Sequence, residues 1–123
     1  MVDLSCLPDT IVSETNAIER FVRLLEQENV FLTEGQIEQL PAIVEEKERV
    51  AAQLNELTQQ RGHLLDALGF SHDRKGMEAW SAQYPEQKDA IAAWNRTLSL
   101  AVQAREQNHI NAQLIQLYMT PSG

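Results

Sequence analysis

Glu106 and His109 stand three residues apart in a stretch free of Pro and Gly. On a helix that spacing puts a carboxylate and an imidazole on one face, as di-metal carboxylate bundles require. Such a site needs a second Glu-x-x-His pair and further inward carboxylates. The other two histidines lack the partner, since Gln60 precedes His63 and Gly69 precedes His72 at that spacing. The pair therefore reads as exposed surface, and no metal site is expected. His72-Asp73 has acid and base character, but no nucleophile and orienting group accompany it. Asp73 reads instead as a helix cap. Cys6, the sole cysteine, has no Lys, Arg or His nearby in sequence to favour its thiolate. No glycine-rich phosphate cradle occurs. The expectation is a protein with no catalytic residues and no cofactor, and not an enzyme.

The more informative polar residues are those set into apolar rows. Leu40, Ile43, Lys47, Val50, Leu54, Leu57, Arg61, Leu64 and Leu68 recur at steps of three and four. That spacing forms one stripe of a helix. Lys47 and Arg61 interrupt the stripe two heptads apart. Their stems can pack in the seam while their charges reach water or an acid such as Glu14 or Glu28. They can also set helix register or receive a partner's acidic group. Farther along, Ile91, Trp94, Leu98, Ala101, Arg105, Asn108, Ala112, Ile115 and Met119 repeat the spacing, with Arg105 and Asn108 in polar seam positions. Asn108 and Asn111 share a face just before Leu114 and Ile115. Two amides there suit either an interhelical hydrogen-bond layer or a site for another helix.

These rows demand long helices to carry them. The first is expected over about 10–32, capped by Asp9 or Thr10, with Ile11, Ile18, Leu25 and Leu32 seven apart and Glu14 and Glu28 between them. Thr33 and Gln36 have capping-box spacing. Pro41 should break or kink the chain near Leu40, giving a short turn at about 36–40 and a long helix at about 41–68 that stops at Gly69. Asp73 should cap a short helix carrying Met77 and Trp80, closed by Tyr84-Pro85. A last helix follows at about 86–119. Trp80 and Trp94 suit core or bundle-end anchors. The fold class is all-α: an elongated antiparallel helical bundle or coiled coil of three main helices plus one or two short ones. Residues 1–123 read as a single domain.

The chain has 123 residues, 43% of them hydrophobic, and a net charge of −8. Eleven of the 18 acidic residues lie before position 49, against three basic ones. This balance disfavours nucleic acid and anionic lipid as partners. It reads as a solvated acidic face, or else as a docking surface for a basic partner. No run approaches the ~18 apolar residues of a membrane span. With one cysteine and no basic-then-apolar start, a cytoplasmic location is expected.

Taken in order, several pieces resemble the FlgN family of flagellar type III export chaperones. They are Leu24-Leu25-Glu26-Gln27-Glu28 with Leu32 and a turn, Ile37 and Leu40 ahead of Lys47, Leu54 through Leu57 to Arg61, Trp94 early in the final long helix, and Asn108-x-x-Asn111-x-x-Leu114-Ile115. The resemblance spans about 20–118. The family usually has Gly after the second Asn, where this chain has Ala112. The resemblance implies a cytoplasmic chaperone that binds the C-terminal helical segments of the hook–filament junction (hook-associated) proteins, prevents early assembly and delivers them to export-gate components. The expected client contact is Asn108, Asn111, Leu114, Ile115, Leu117 and Tyr118. A structural coiled-coil or adaptor protein, and a chaperone of another type III secretion system, are the rival readings, and a homodimer is a further possible state.

Overall fold

The computed structural model describes residues 6–119. Four α-helices follow one another: α1 (Cys6–Thr33), α2 (Leu40–Ala67), α3 (Arg74–Gln83) and α4 (Lys88–Met119), with a single 3-10 turn at Ile37–Gln39 before α2. At ~1.5 Å per residue, the three long helices each run about 40–50 Å. The all-α bundle expected from the heptad rows is what forms.

The punctuation follows from a few residues. Pro41 lies in the first turn of α2, where its missing N–H leaves no intrahelical bond unmade. It therefore starts the helix and does not kink it. At the other end Gly69 takes φ +87°. Its amide donates to the Asp66 carbonyl at 3.0 Å and the Phe70 amide donates to the Leu65 carbonyl at 2.9 Å. This is the paired C-terminal closure that a left-handed residue permits, and Phe70 then packs on the cluster containing Leu65.

Two expected N-terminal signals are corrected. Residues 9 and 10 do not cap α1, which is already helical at Cys6, and Thr10 is buried inside it. Asp9 instead sits in the first turn, where a carboxylate complements the helix dipole. The Thr33–Gln36 capping box does not form either. Thr33 Oγ1 donates to the Val30 carbonyl, and no side chain caps the 3-10 turn.

Asp73 does cap α3. Its Oδ1 accepts from the Gly76 amide at 3.1 Å and the Ser71 hydroxyl at 2.7 Å. Those bonds, the Ser71 hydroxyl first, hold the Asp73 carboxyl below its ordinary pKa.

α1 is the axis on which the other long helices lie. α2 runs antiparallel to it, because Glu14 pairs with Arg61 while Glu28 pairs with Lys47. α4 runs parallel to it, since Thr15 meets Thr97 and Leu32 meets Tyr118 at sequence separations of 82 and 86. α2 and α4 both pack along α1 but hardly on each other.

At the proximal end, Leu7, Ile11, Leu64, Leu65, Met77, Trp80, Ala90 and Trp94 form one buried cluster sealed by α3. Both tryptophans are thus anchors, as their apolar settings suggested. A second cluster of Ile18, Val22, Leu25, Leu100 and Ala104 fills the middle. The α2 row expected from the sequence is the face that packs: Ile43, Val50, Arg61 and Leu64 are buried and its other members half-buried.

Two glycines test the proximal packing with opposite signs. A Cβ on Gly76 would lie 1.5 Å from the Ser71 carbonyl oxygen, whereas one on Gly62 would make only ordinary contact with His72. Gly62→Ala should raise stability by up to about 1 kcal/mol through helix propensity alone. Gly76→Ala should lower it by about 2 kcal/mol or more despite the same propensity gain, because backbone must move. Urea denaturation of both variants reads the difference.

Candidate helix-binding surface at the distal end

Two glutamates lie inside α1: Glu14 is 2% exposed and Glu28 fully buried. A lone buried carboxylate would cost several kcal/mol or more, so each must be met. Glu14 accepts from Arg61 Nε at 2.9 Å and Thr58 Oγ1 at 2.8 Å. The Arg61 guanidinium lies 4.5 Å over the Trp94 ring, which ties α4 into the same layer. Glu28 accepts from Lys47 Nζ at 2.9 and 3.1 Å and from Asn111 Nδ2 at 2.8 Å. Asn111, 1% exposed, also donates to the Leu25 carbonyl. Its Oδ1 accepts from Asn29 and Gln107. Between these layers, the Thr15 and Thr97 hydroxyls sit 2.7 Å apart and Thr15 reaches the Ala93 carbonyl.

Lys47 and Arg61 therefore occupy the seam and find the two acids on α1. Arg105 does not, which is a correction: it is exposed, and the buried position beside it is Ala104. Asn108 is likewise exposed. The row on α4 that packs against α1 is shifted about one residue round the helix. It runs through Thr97, Leu100, Ala104 and Asn111. Its polar and small members (Thr97, Ala104, Asn111) gave it no contrast against the more apolar neighbouring row. Asn29, Thr58, Thr15, Thr97 and Gln107 escaped notice for the same reason. Thr and Gln are common on solvated faces, and only their seven-residue relation to seam positions marks them.

The two asparagines thus sit in different surroundings. Asn111 turns inward as an interhelical layer, and Asn108 faces solvent. Leu114 and Ile115 are half-buried. Leu117 is 72% exposed and Tyr118 51%, although the Tyr118 hydroxyl donates to the Leu32 carbonyl and pins the end of α4 to α1. Ile37, Val44, Ile110 and Met119 are also exposed. Among the described residues, seven of the nine exposed large hydrophobic ones, Val30 among them, fall at this distal end.

The residues considered for chemistry lie elsewhere. Glu106 and His109 are exposed on α4. His63 and His72 line a surface cleft with Asp66, where His72 Nδ1 is 3.4 Å from Asp66 Oδ1. Among the described residues no three His, Cys, Asp or Glu side chains converge, and no helix is long and apolar enough to cross a membrane.

The Glu28 layer should behave as a coupled unit. Glu28→Leu alone leaves Lys47 and Asn111 facing an apolar group and should cost about 3 kcal/mol. Adding Lys47→Met should recover at least ~1 kcal/mol of that loss. The same double change at Glu14 and Arg61, about 21 Å away along α1, should add independently. Chemical denaturation of the single and double variants measures both.

The distal arrangement is a braced three-helix frame with apolar residues left open at one end. No curated protein and no solved structure was found to match the chain. The family model described as FlgN protein matches residues 1–120. With nearly the whole length covered, the chain belongs to the FlgN family of flagellar export chaperones.

Proposed function

We propose that this protein holds the C-terminal helical segments of the hook–filament junction proteins in the cytoplasm, keeps them from assembling early, and passes them to the flagellar export gate. Family membership supports the class, and the open distal end supports the mode. The observation that carries the reading is the coincidence of an exposed apolar surface with a rigid polar layer beneath it. Such a surface is what an amphipathic helix needs, because affinity comes from covering apolar area on a preformed wall. A junction protein's own terminal helix is made to pack on copies of itself, so covering it blocks self-association until release.

The contact proposed is the distal part of α4, with Asn108, Leu114, Ile115, Leu117 and Tyr118 at the surface. Asn111 acts from inside, holding α4 against α1 while the client binds. Each large aliphatic side chain covered by the client contributes roughly 1.5–3 kcal/mol in area terms before ordering costs. Two such contacts are therefore enough to decide binding.

Calorimetric titration with a purified C-terminal helical segment of a junction protein tests this. The wild-type chain should form a one-to-one complex, and the segment should no longer self-associate. Ile115→Asp combined with Leu117→Asp should keep the helical circular-dichroism signal and weaken binding by about a hundredfold. A wild-type chain that ignores the segment would remove the chaperone reading.

A further inference from the structure

α4 carries two neighbouring rows at heptad spacing. One packs on α1. The other runs through Trp94, Leu98, Ala101, Arg105, Asn108, Ala112, Ile115 and Met119, and its cover changes along its length. Trp94 lies under the Arg61 guanidinium, Leu98 packs on the cluster around Leu64 and Leu65, and Ala101 packs on the middle cluster. From Arg105 onward the same row is exposed except for half-buried Ile115. The facing side of α2 behaves alike. Leu65 is buried in the cluster with Trp94, while Ala51 and Val44, on the same seven-residue row, are exposed. The two helices thus share a cluster at the proximal end, whereas at the distal end Lys47 and Asn111 meet on the Glu28 carboxylate and the residues outside that layer are exposed, forming a shallow cleft over α1. Ala51 and Ala112 keep its walls low.

Charge divides the molecule at the same place. Segments 24–51 and 105–119, which carry the cleft walls, hold eight of the 18 acidic residues and three of the ten Lys and Arg residues, a net −5 of the chain's −8. Of these cations Lys47 is held by buried Glu28, Arg49 pairs with Glu46, and Arg105 is exposed at the proximal limit of the cleft. Glu34, Glu38, Glu45 and Glu48 are exposed around the cleft's α2 side.

Building on the chaperone reading, we propose that the client helix uses the Asn108 and Ile115 side of that contact and seats in this α2–α4 cleft, not on the outer flank of α4 that Ile110 shares with Leu114 and Leu117, and that it is amphipathic with Lys or Arg flanking its apolar stripe. The cleft continues the local proximal contact of Arg61, Leu64 and Leu65 with Trp94 and Leu98, so a bound helix completes the row that α2 covers only proximally. From Arg105 to Met119 the α4 wall is ~21 Å long, room for about four helical turns of client. Apolar contact supplies the affinity. The acidic surroundings select for a basic flank and speed encounter.

The test uses fluorescence anisotropy with the full chain, the junction-protein segment, and two synthetic helical peptides that share one apolar stripe but carry Lys or Glu on its flanks. The Lys peptide should bind at least about tenfold tighter than the Glu peptide at about 0.05 M salt, and the gap should narrow at about 0.5 M. Ala112→Trp and Ala51→Trp, both at exposed positions, should weaken the segment and the Lys peptide by about tenfold or more. Ile110→Ser should stay within about twofold. The triple change Glu38→Lys, Glu45→Lys, Glu48→Lys should reverse the peptide preference. A segment that binds tightly but ignores Ala112→Trp and Ala51→Trp, or binding lost in Ile110→Ser alone, would overturn the cleft and leave the chaperone reading standing. Equal affinity for the two peptides would overturn the basic-flank chemistry. Sedimentation showing a dimer abolished by Ala112→Trp would make a second copy the occupant. A segment that does not bind the wild-type chain would overturn both readings together.

Discussion

Two buried carboxylates on one helix organise this molecule. Glu14 and Glu28 are two heptads apart on α1, and each is held by a cation from α2. A slide of α2 by one turn would leave both acids without a cation at a cost of several kcal/mol, far more than any apolar burial that a slipped seam could recover. Leucine-rich seams tolerate such slips, whereas paired charges do not. Asn111 and the Trp94 ring bring α4 to the same two layers, so the register of all three long helices is set from α1 outward. The exposed pairs Arg20–Glu46 and Arg96–Glu19 lie on the rim and add little.

That division of labour explains why the two ends differ. The proximal end has α3, both tryptophans and a buried cluster, so its apolar side chains are covered by the chain itself. The distal end has the Glu28 layer, a hydrogen bond from Tyr118 to the end of α1, and much less apolar cover. Polar bonds hold α4 in place there without burying its second face. A chaperone benefits from this arrangement, because a preordered wall loses little entropy on binding while its uncovered side chains still gain from contact. Family membership and the open end therefore agree without either being deduced from the other.

Much of the architecture was legible in the sequence where a helix has one apolar face. α2 has one main stripe, and all nine of its expected seam residues pack or half-pack, with Leu65 beside them also buried. Pro41, Gly69 and Asp73 marked boundaries because each acts through its own backbone or side chain, independent of tertiary context. Lys47 and Arg61 were legible as seam residues because a charge in an apolar row has few solutions. α4 was misread in phase because it has two faces with different partners. Periodicity selects the row with more Leu, Ile and Trp, and in α4 that row meets α2 and then open space. The row on α1 is built from Thr, Ala and Asn, which sequence patterning scores as neutral. Asn111 could be narrowed only to a layer or a contact, since both need an amide at that position. The choice needed the geometry of Glu28 and Leu25.

The central claim is that α1 holds α2 and α4 in register through buried polar layers while the distal faces of both stay uncovered until another helix lies over them. Hydrogen-exchange mass spectrometry of the full chain, alone and with a junction-protein segment, addresses it most directly. Expected in the free chain is slow exchange through α1 and the proximal halves of α2 and α4, faster exchange at 40–51 and 105–119, and protection of both distal stretches together when the segment is present. Distal amides as slow as the proximal ones in the free chain, or added protection on α4 with none on α2, would contradict it.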